Sequence, residues 1–247
     1  MTTSLSPQQC LLLADTLPDT PETVISISQL RRGLARAWVV GEVERFETAV
    51  IEDLGQPGEP LAFGHNPQQI ADLLPHIPDW YCVNVSYEMA PVLAPLLEAQ
   101  MGCPIRLLED VYHTLTQPAP RFNQPHVRLL TPADLSLLEN APPELHGSQP
   151  RRTLLEMAVA GAIVEGQLVA IAQNYARSDR YGEIGVHTLS EWRKNGYATA
   201  ATATVARYIQ SLGLIPVWSC GESNQASLRV AQKLGFTEVS RRVYLIV

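Results

Sequence analysis

Along the first hundred residues the apolar positions change period several times, and each change marks a new element. Cys10, Leu13, Ala14 and Leu17 recur at three- and four-residue spacing behind Ser6 and Pro7, an N-cap and first-turn pair, which predicts a helix to about residue 17. A second helix is expected over residues 22–32. The period then shortens: residues 37–41, 46–51 and 61–63 are brief apolar runs bounded by Gly, Pro and Glu, which read as strands. Asn66 and Pro67 open a helix that turns Ile70, Leu73 and Leu74 inward; residues 80–85 form a strand, 88–101 a helix stopped by Gly102, and 104–108 a strand. This is an α/β unit.

Periodicity vanishes over residues 114–125, where three prolines favour an extended connector, and the domain boundary is placed there, dividing the chain into 1–117 and 126–247. Beyond it come a strand at 126–130, a helix opened by Thr131 and Pro132, and a polar, proline-containing stretch at 140–149. Residues 161–164 and 167–173 flank Glu165-Gly166, the signature of a hairpin with a two-residue turn. Residues 183–188 read as a strand, 189–195 as a polar turn, and a helix starts near Gly196 and ends at Gly213. A strand at 214–220, a helix from Asn224 to Gly235 and a strand at 236–247 complete the chain.

Composition narrows the partners. A formal charge of −7 and a pI near 5.4 argue against nucleic acid, since affinity for a polyanion comes mainly from clustered Lys and Arg. Cys10, Cys82, Cys103 and Cys220 stand far apart without a CxxC pair, so neither a metal site nor a disulfide framework is expected, and reduced thiols in a cytoplasmic protein are. The first residues lack a basic region followed by an apolar core, and the most apolar segment, 158–172, is broken by Glu165 and Gln167; neither export nor a membrane span is expected.

The strand, turn and helix of residues 183–199 carry the chemistry. Such a junction aims unpaired backbone N–H groups at one point, where the helix dipole adds partial positive charge, and so suits a phosphate. Gly196 lets backbone approach an anion, Ala198 keeps the first turn thin, and Arg193 and Lys194 bring positive charge to the rim. An ordinary exposed loop with two basic residues is the alternative. The run Arg193-Lys194-Asn195-Gly196-Tyr197-Ala198 resembles the R/Q-x-x-G-x-G/A pyrophosphate loop of GNAT-superfamily N-acetyltransferases, and Asn224, Ser227 and Lys233-Leu234-Gly235-Phe236 follow as that family's later signature does. The start at residues 127–135 is similar to the family's first strand and helix.

The resemblance implies a GNAT-like mixed sheet flanked by helices, an α/β (α+β) fold, preceded by a smaller α/β domain. It implies acetyl-CoA as cosubstrate, its pantetheine arm beside Val186, His187 and Thr188 and its pyrophosphate on residues 193–199, Thr199 included, with Asn224 and Ser227 completing the contacts. The amine attacks the thioester directly, so a base must take its proton. Glu183 is the one carboxylate of its strand. Alternation puts Glu183, Gly185 and His187 on one face and Ile184, Val186 and Thr188 on the other, so only a bulge joins both sets at one site. Glu183 is the candidate base; His187 also fits as a packed strand residue, and Asn224 as a helix N-cap.

One position departs from the pattern: where many relatives carry a tyrosine as general acid, seven residues after the asparagine, this chain has Ala231. Thiolate protonation then falls to Ser227 or water. The expected activity is acetylation of a small-molecule amine, with an acyl-CoA-binding protein lacking turnover as the alternative. The amino-terminal half repeats the strand and helix order without an R-x-x-G-x-A loop, which marks it as a diverged half-fold that covers the substrate side or mediates assembly, such as a homodimer.

Overall fold

The computed structural model describes residues 4–146 and 150–247, so the last three residues of the polar stretch expected at 140–149 lie outside the described residues. In chain order the first half forms α1 (Pro7–Thr16), α2 (Val24–Arg31), β1 (Ala35–Val40), β2 (Thr48–Asp53), β3 (Leu61–Gly64), α3 (Pro67–Leu73), β4 (Cys82–Ser86), α4 (Ala90–Met101) and β5 (Arg106–Thr114). The second half forms β6 (Val127–Leu129), α5 (Leu135–Glu139), α6 (Pro143–His146), α7 (Pro150–Glu156), β7 (Val159–Val164) and β8 (Gln167–Arg177). It continues with β9 (Tyr181–Thr188), α8 (Tyr197–Ser211), β10 (Ile215–Gly221), α9 (Gln225–Leu234) and β11 (Thr237–Ile246).

Two compact units result. The first takes the chain up to Tyr112 together with Cys220–Ser223 and Ser240–Val247; the second takes His113–Ser219 and Asn224–Val239. The linear division expected at 117/126 had left the end of the chain wholly in the second part. No described helix is long and apolar enough to cross a membrane.

In the first unit Ser6 and Gln9 make the capping box that starts α1, Ser6 N–H donating to Gln9 Oε1 at 3.0 Å and Gln9 N–H to Ser6 Oγ at 3.4 Å. β1 pairs antiparallel with β2, β2 antiparallel with β3, and β3 parallel with β4. Alternation along the strands feeds two cores. Trp38 and Val50 join Ile70, Leu74, Leu93 and Leu97 from α3, its continuation and α4, whereas Ala37, Ala49 and Ile51 join Leu13, Leu17, Ile27 and Leu30 of the α1–α2 side. β4 is closed on its other edge by β11, antiparallel from Arg242↔Ser86 to Ile246↔Cys82.

The second unit repeats that order. β7 and β8 form the expected hairpin, with Glu165 (φ 49°) and Gly166 (φ 79°) both left-handed, as a type I′ turn requires. β8 pairs antiparallel with β9, and β9 parallel with β10. Tyr175 is the extra residue of a bulge in β8, since pairing steps from Asn174↔Ile184 to Ala176↔Glu183. α8 covers one face of the sheet: a Cβ on Gly182 would stand 2.9 Å from Ile209. Leu138 of α5, Leu145 of α6 and Leu154 of α7 pack with Val159, Leu168 and Ile171 on the other.

Three local outcomes differ from the periodicity. β5 runs on to Thr114, and the connector after it is tied down: Gln210 of α8 accepts from Ala119 N–H at 2.9 Å and donates to Leu115 O at 3.3 Å and Gln117 O at 2.7 Å, while Arg207 donates to Pro120 O at 2.7 Å. α7 was not expected; it holds one buried apolar residue, Leu154, and an Arg152–Glu156 ion pair at 2.7 Å, too little for a visible period. The helix opened by Thr131 starts as a 3-10 turn at Pro132–Asp134, where Asp134 caps Thr131 N–H at 2.8 Å and Arg128 binds it at 2.8 and 2.6 Å. That guanidinium holds the Asp134 carboxyl well below the usual carboxylate range.

Candidate functional site

β9 is paired along one edge over residues 182–188 with β8, but along the other it meets β10 only at Tyr181, Gly182 and Glu183, opposite Ile215, Pro216 and Val217. From residue 184 onward the two parallel strands separate. An edge left open in this way offers N–H and C=O groups to a ligand that can lie along it as an added strand. Val186 and Thr188, facing α8, and His187, facing the α5–α7 side, are all partly exposed on this stretch. Thr188 Oγ1 is buried with no hydrogen-bond partner among the described residues.

The loop after β9 is already shaped. A 3-10 turn at Ser190–Trp192 leads to Lys194 (φ 68°) and Gly196 (φ 79°), and α8 begins at Tyr197 with Gly196 as N-cap and no side-chain cap. The first-turn amides of Tyr197, Ala198 and Thr199 therefore lack a side-chain acceptor, and a fifteen-residue helix stands behind them. Asn195 Nδ2 braces the turn through Trp192 O at 3.1 Å, and Tyr197 is packed under it against Trp192, with ring centroids 6.5 Å apart. Arg193 folds back toward the strand end, its Nε donating to Thr188 O at 3.3 Å, and Lys194 is exposed. Two left-handed residues and a bare helix start make a cradle of N–H groups for an anion.

Glu183 is fully enclosed. Its Oε1 accepts from the Ser219 N–H at 3.0 Å and the Ser219 hydroxyl at 2.8 Å. Ser219 lies two residues past Val217, where the β9–β10 ladder stops, so an amide that a longer ladder would hand to β9 backbone goes to this carboxylate. The sequence reading missed Ser219; no motif marks it, and only the register of the two strands brings it to Glu183.

On the α8 side of the sheet, Asn224 Oδ1 accepts from Ser227 N–H at 3.1 Å, the N-cap of α9, and Ser227 Oγ accepts from the Trp218 indole at 3.0 Å. No group of three His, Cys, Asp or Glu among the described residues could hold a metal ion.

Residues 160–244 match the family model described as GNAT acetyltransferase, and they contain the open strand pair, the loop and the Asn224 cap. Residues 160–244 carry a GNAT acetyltransferase domain. No match was found among curated proteins. Solved structures resemble the whole chain. A GCN5-related N-acetyltransferase-like protein of Streptococcus suis 89/1591 has a TM-score of 0.67 at 19% identity, over 97% of this chain and 99% of its own. A GNAT-family acetyltransferase of Colwellia psychrerythraea has 0.62 at 13%, over 100% and 99%. A tandem GNAT protein from the clavulanic acid biosynthesis pathway, solved without AcCoA, has 0.58 at 14%, over 100% and 98%. At these identities the likeness is one of fold.

Within the GNAT domain the bulge of the β8–β9 ladder sits in β8, and β9 keeps its alternation, so Glu183, Gly185 and His187 stay on the face toward α5–α7. That face also carries Gln173, paired with Gly185, whose Oε1 is buried without a partner among the described residues. Ala231 is 1% exposed and points into the core.

Proposed function

We propose that the chain transfers the acetyl group of acetyl-CoA to the amine of a small molecule. The observation that supports this best is the coincidence, inside a GNAT domain, of an open strand edge with a bare, preshaped helix start one loop away. In this reading the amides of residues 196–199 hold the pyrophosphate, with Arg193, Lys194 and Asn195 around it. Val186, His187 and Thr188 offer backbone to the pantetheine arm, while Asn224 and Ser227 line its α9 side. The acceptor enters from the α5–α7 face, where Glu183 supplies the base. The first unit, which has the same strand order without the loop, serves as a degenerate repeat that binds no CoA.

A second reading, an acyl-CoA-binding protein without turnover, is favoured by Ala231, because the position at which many relatives carry a tyrosine acid is filled by a buried methyl group. Thiol release from acetyl-CoA on a panel of primary amines separates the two. Binding without turnover on every amine would select the second.

Both readings stand on the loop, and Gly196→Val tests it. A Cβ on Gly196 meets nothing within 4 Å, so the protein accommodates it sterically, but at φ 79° a branched residue is strained and the loop must change shape. Losing one or two charge-assisted hydrogen bonds at roughly 1.5–3 kcal/mol each predicts CoA binding weaker by about a hundredfold in calorimetry, with circular dichroism confirming the fold. A folded valine variant that binds CoA like the parent removes the phosphate from this loop.

A further inference from the structure

A base that serves a substrate must be reached, and Glu183 is sealed at 0% exposure. Ser219 bonds to it from β10, two residues past Val217, on the stretch where the two strands are no longer paired. The serine is partly exposed, and its hydroxyl proton is committed to Glu183 Oε1 at 2.8 Å. A hydroxyl that donates in one direction keeps its oxygen lone pairs for another donor. The neighbouring N–H bond from Ser219 to the same carboxylate oxygen, at 3.0 Å, fixes the serine backbone and hence the direction of the hydroxyl.

We propose that Ser219 is a catalytic residue that relays the acceptor's proton to Glu183, an inference that rests on the acetyl-transfer reading above. As the amine nitrogen bonds to the thioester carbonyl carbon, its N–H proton passes to Ser219 Oγ while the serine's own proton passes to Glu183 Oε1. The C–S bond then breaks and the departing thiolate takes a proton from water. Glu183 returns its proton through Ser219 to water, which restores the starting state. The relay explains how a fully buried carboxylate acts on a substrate it does not touch.

The experiment uses the full chain, acetyl-CoA and the panel amine that releases thiol fastest. Ser219→Ala leaves the Ser219 backbone N–H on the carboxylate, so Glu183 keeps a partner and the fold is retained. kcat should fall by about 10²–10⁴-fold, the usual worth of positioned proton transfer, with amine KM and CoA Kd moving less than about threefold. Ser219→Thr, which keeps the hydroxyl, should restore most of it. Adding Glu183→Gln to Ser219→Ala should cost little more, because the two act as one unit. On the unmodified protein, a proton inventory in mixed H₂O and D₂O should curve, as two protons in flight require. An alanine variant with parental kcat, losses that multiply in the double variant, or a linear inventory would each overturn the relay. Failure of the acetyl-transfer reading shows instead in the parent, which would release thiol with no amine.

Discussion

The two units share one order, antiparallel strand pairs followed by a parallel pair joined through a helix, and they treat that parallel pair in opposite ways. In the second unit β9 and β10 separate after Glu183 and Val217, and a carboxylate holds the point of separation through Ser219. In the first unit β3 and β4 pair only at Leu61↔Asn84, and the guanidinium of Arg242 bridges the two strands beyond that pair. Its Nη2 donates to Ala62 O at 2.7 Å and Asn84 O at 3.0 Å, one carbonyl from each strand, its Nε donates to Asn84 Oδ1, and the group lies 4.7 Å from the Phe63 ring centroid. The helix starts differ likewise: α3 is capped by Asn66 Oδ1, which accepts from Gln68 N–H at 3.1 Å and Gln69 N–H at 3.3 Å, whereas α8 has no side-chain cap. One unit ties its strand pair and helix start down with side chains, and the other leaves a strand edge and a helix start open.

The largest effect should come from removing the plug. Arg242→Met keeps length and apolar bulk but leaves Ala62 O, Asn84 O and the Asn84 side chain short of a donor in a buried place. Breaking such a charged network costs about 3–5 kcal/mol, read as a lower urea midpoint with unchanged slope. CoA affinity of the folded protein should stay within about threefold of the parent, because the plug belongs to the unit without the loop. A variant of parental stability would show that the guanidinium is not what closes the strand pair.

Arg242 also has a charged neighbour whose titration sharpens the contrast. Burial pushes the Asp110 carboxyl up to about 6, against a smaller lowering by Arg242. A folded chain that holds this proton more tightly than the unfolded chain gains stability at low pH. The gain is complete below about pH 4 and lost as pH rises through about 6. Two pKa units correspond to about 3 kcal/mol, which solvent at the partly exposed carboxyl reduces to about 2. Asp110→Asn should therefore raise stability at pH 8 by about 2 kcal/mol and change it little at pH 4. Denaturant curves at both pH values check the sign, and a benefit at pH 4 alone would reverse it.

The caps give a smaller, local test. Asn66→Ala should cost about 1 kcal/mol by chemical denaturation, the ordinary worth of an N-cap, without creating a CoA site in the first unit. CoA stoichiometry rising from one to two in the variant would mean that the cap alone had closed a second site.

Most elements were legible because their signals are local. Ser6-Pro7, Asn66-Pro67 and Asn224 cap helices where their side chains reach amides two or three residues on, and Glu165-Gly166 turns where two left-handed residues are needed. The shape of the loop at residues 193–198, a tight turn into the start of α8, was legible for the same reason, being set by neighbours in sequence. What could not be read is what strand register decides. Ser219 reaches Glu183 across 36 residues, Arg242 reaches Asn84 across 158, and the bulge at Tyr175 depends on how β8 lies on β9. The length of β5 and the tethering of its connector by Gln210 belong to the same class, since no periodicity in residues 114–125 records a partner about ninety residues away.

The smallest effect, and the one that separates charge from backbone in the open unit, is expected of Arg193→Ala. Arg193 is exposed, and its Nε is spent on Thr188 O at 3.3 Å, so the side chain ties the loop to the end of β9 as much as it offers charge to a phosphate. Removing it deletes one screened charge and one weak tether while the amides of residues 196–199 remain. CoA affinity should fall about three- to tenfold at low salt, in line with exposed ion pairs, and the gap to the parent should shrink as ionic strength rises past the point where the Debye length is about 10 Å. Titrations at two salt concentrations measure both. An arginine loss as large as that of Gly196→Val, and insensitive to salt, would move the anion from the helix amides to the guanidinium and make the bare helix start of α8 incidental.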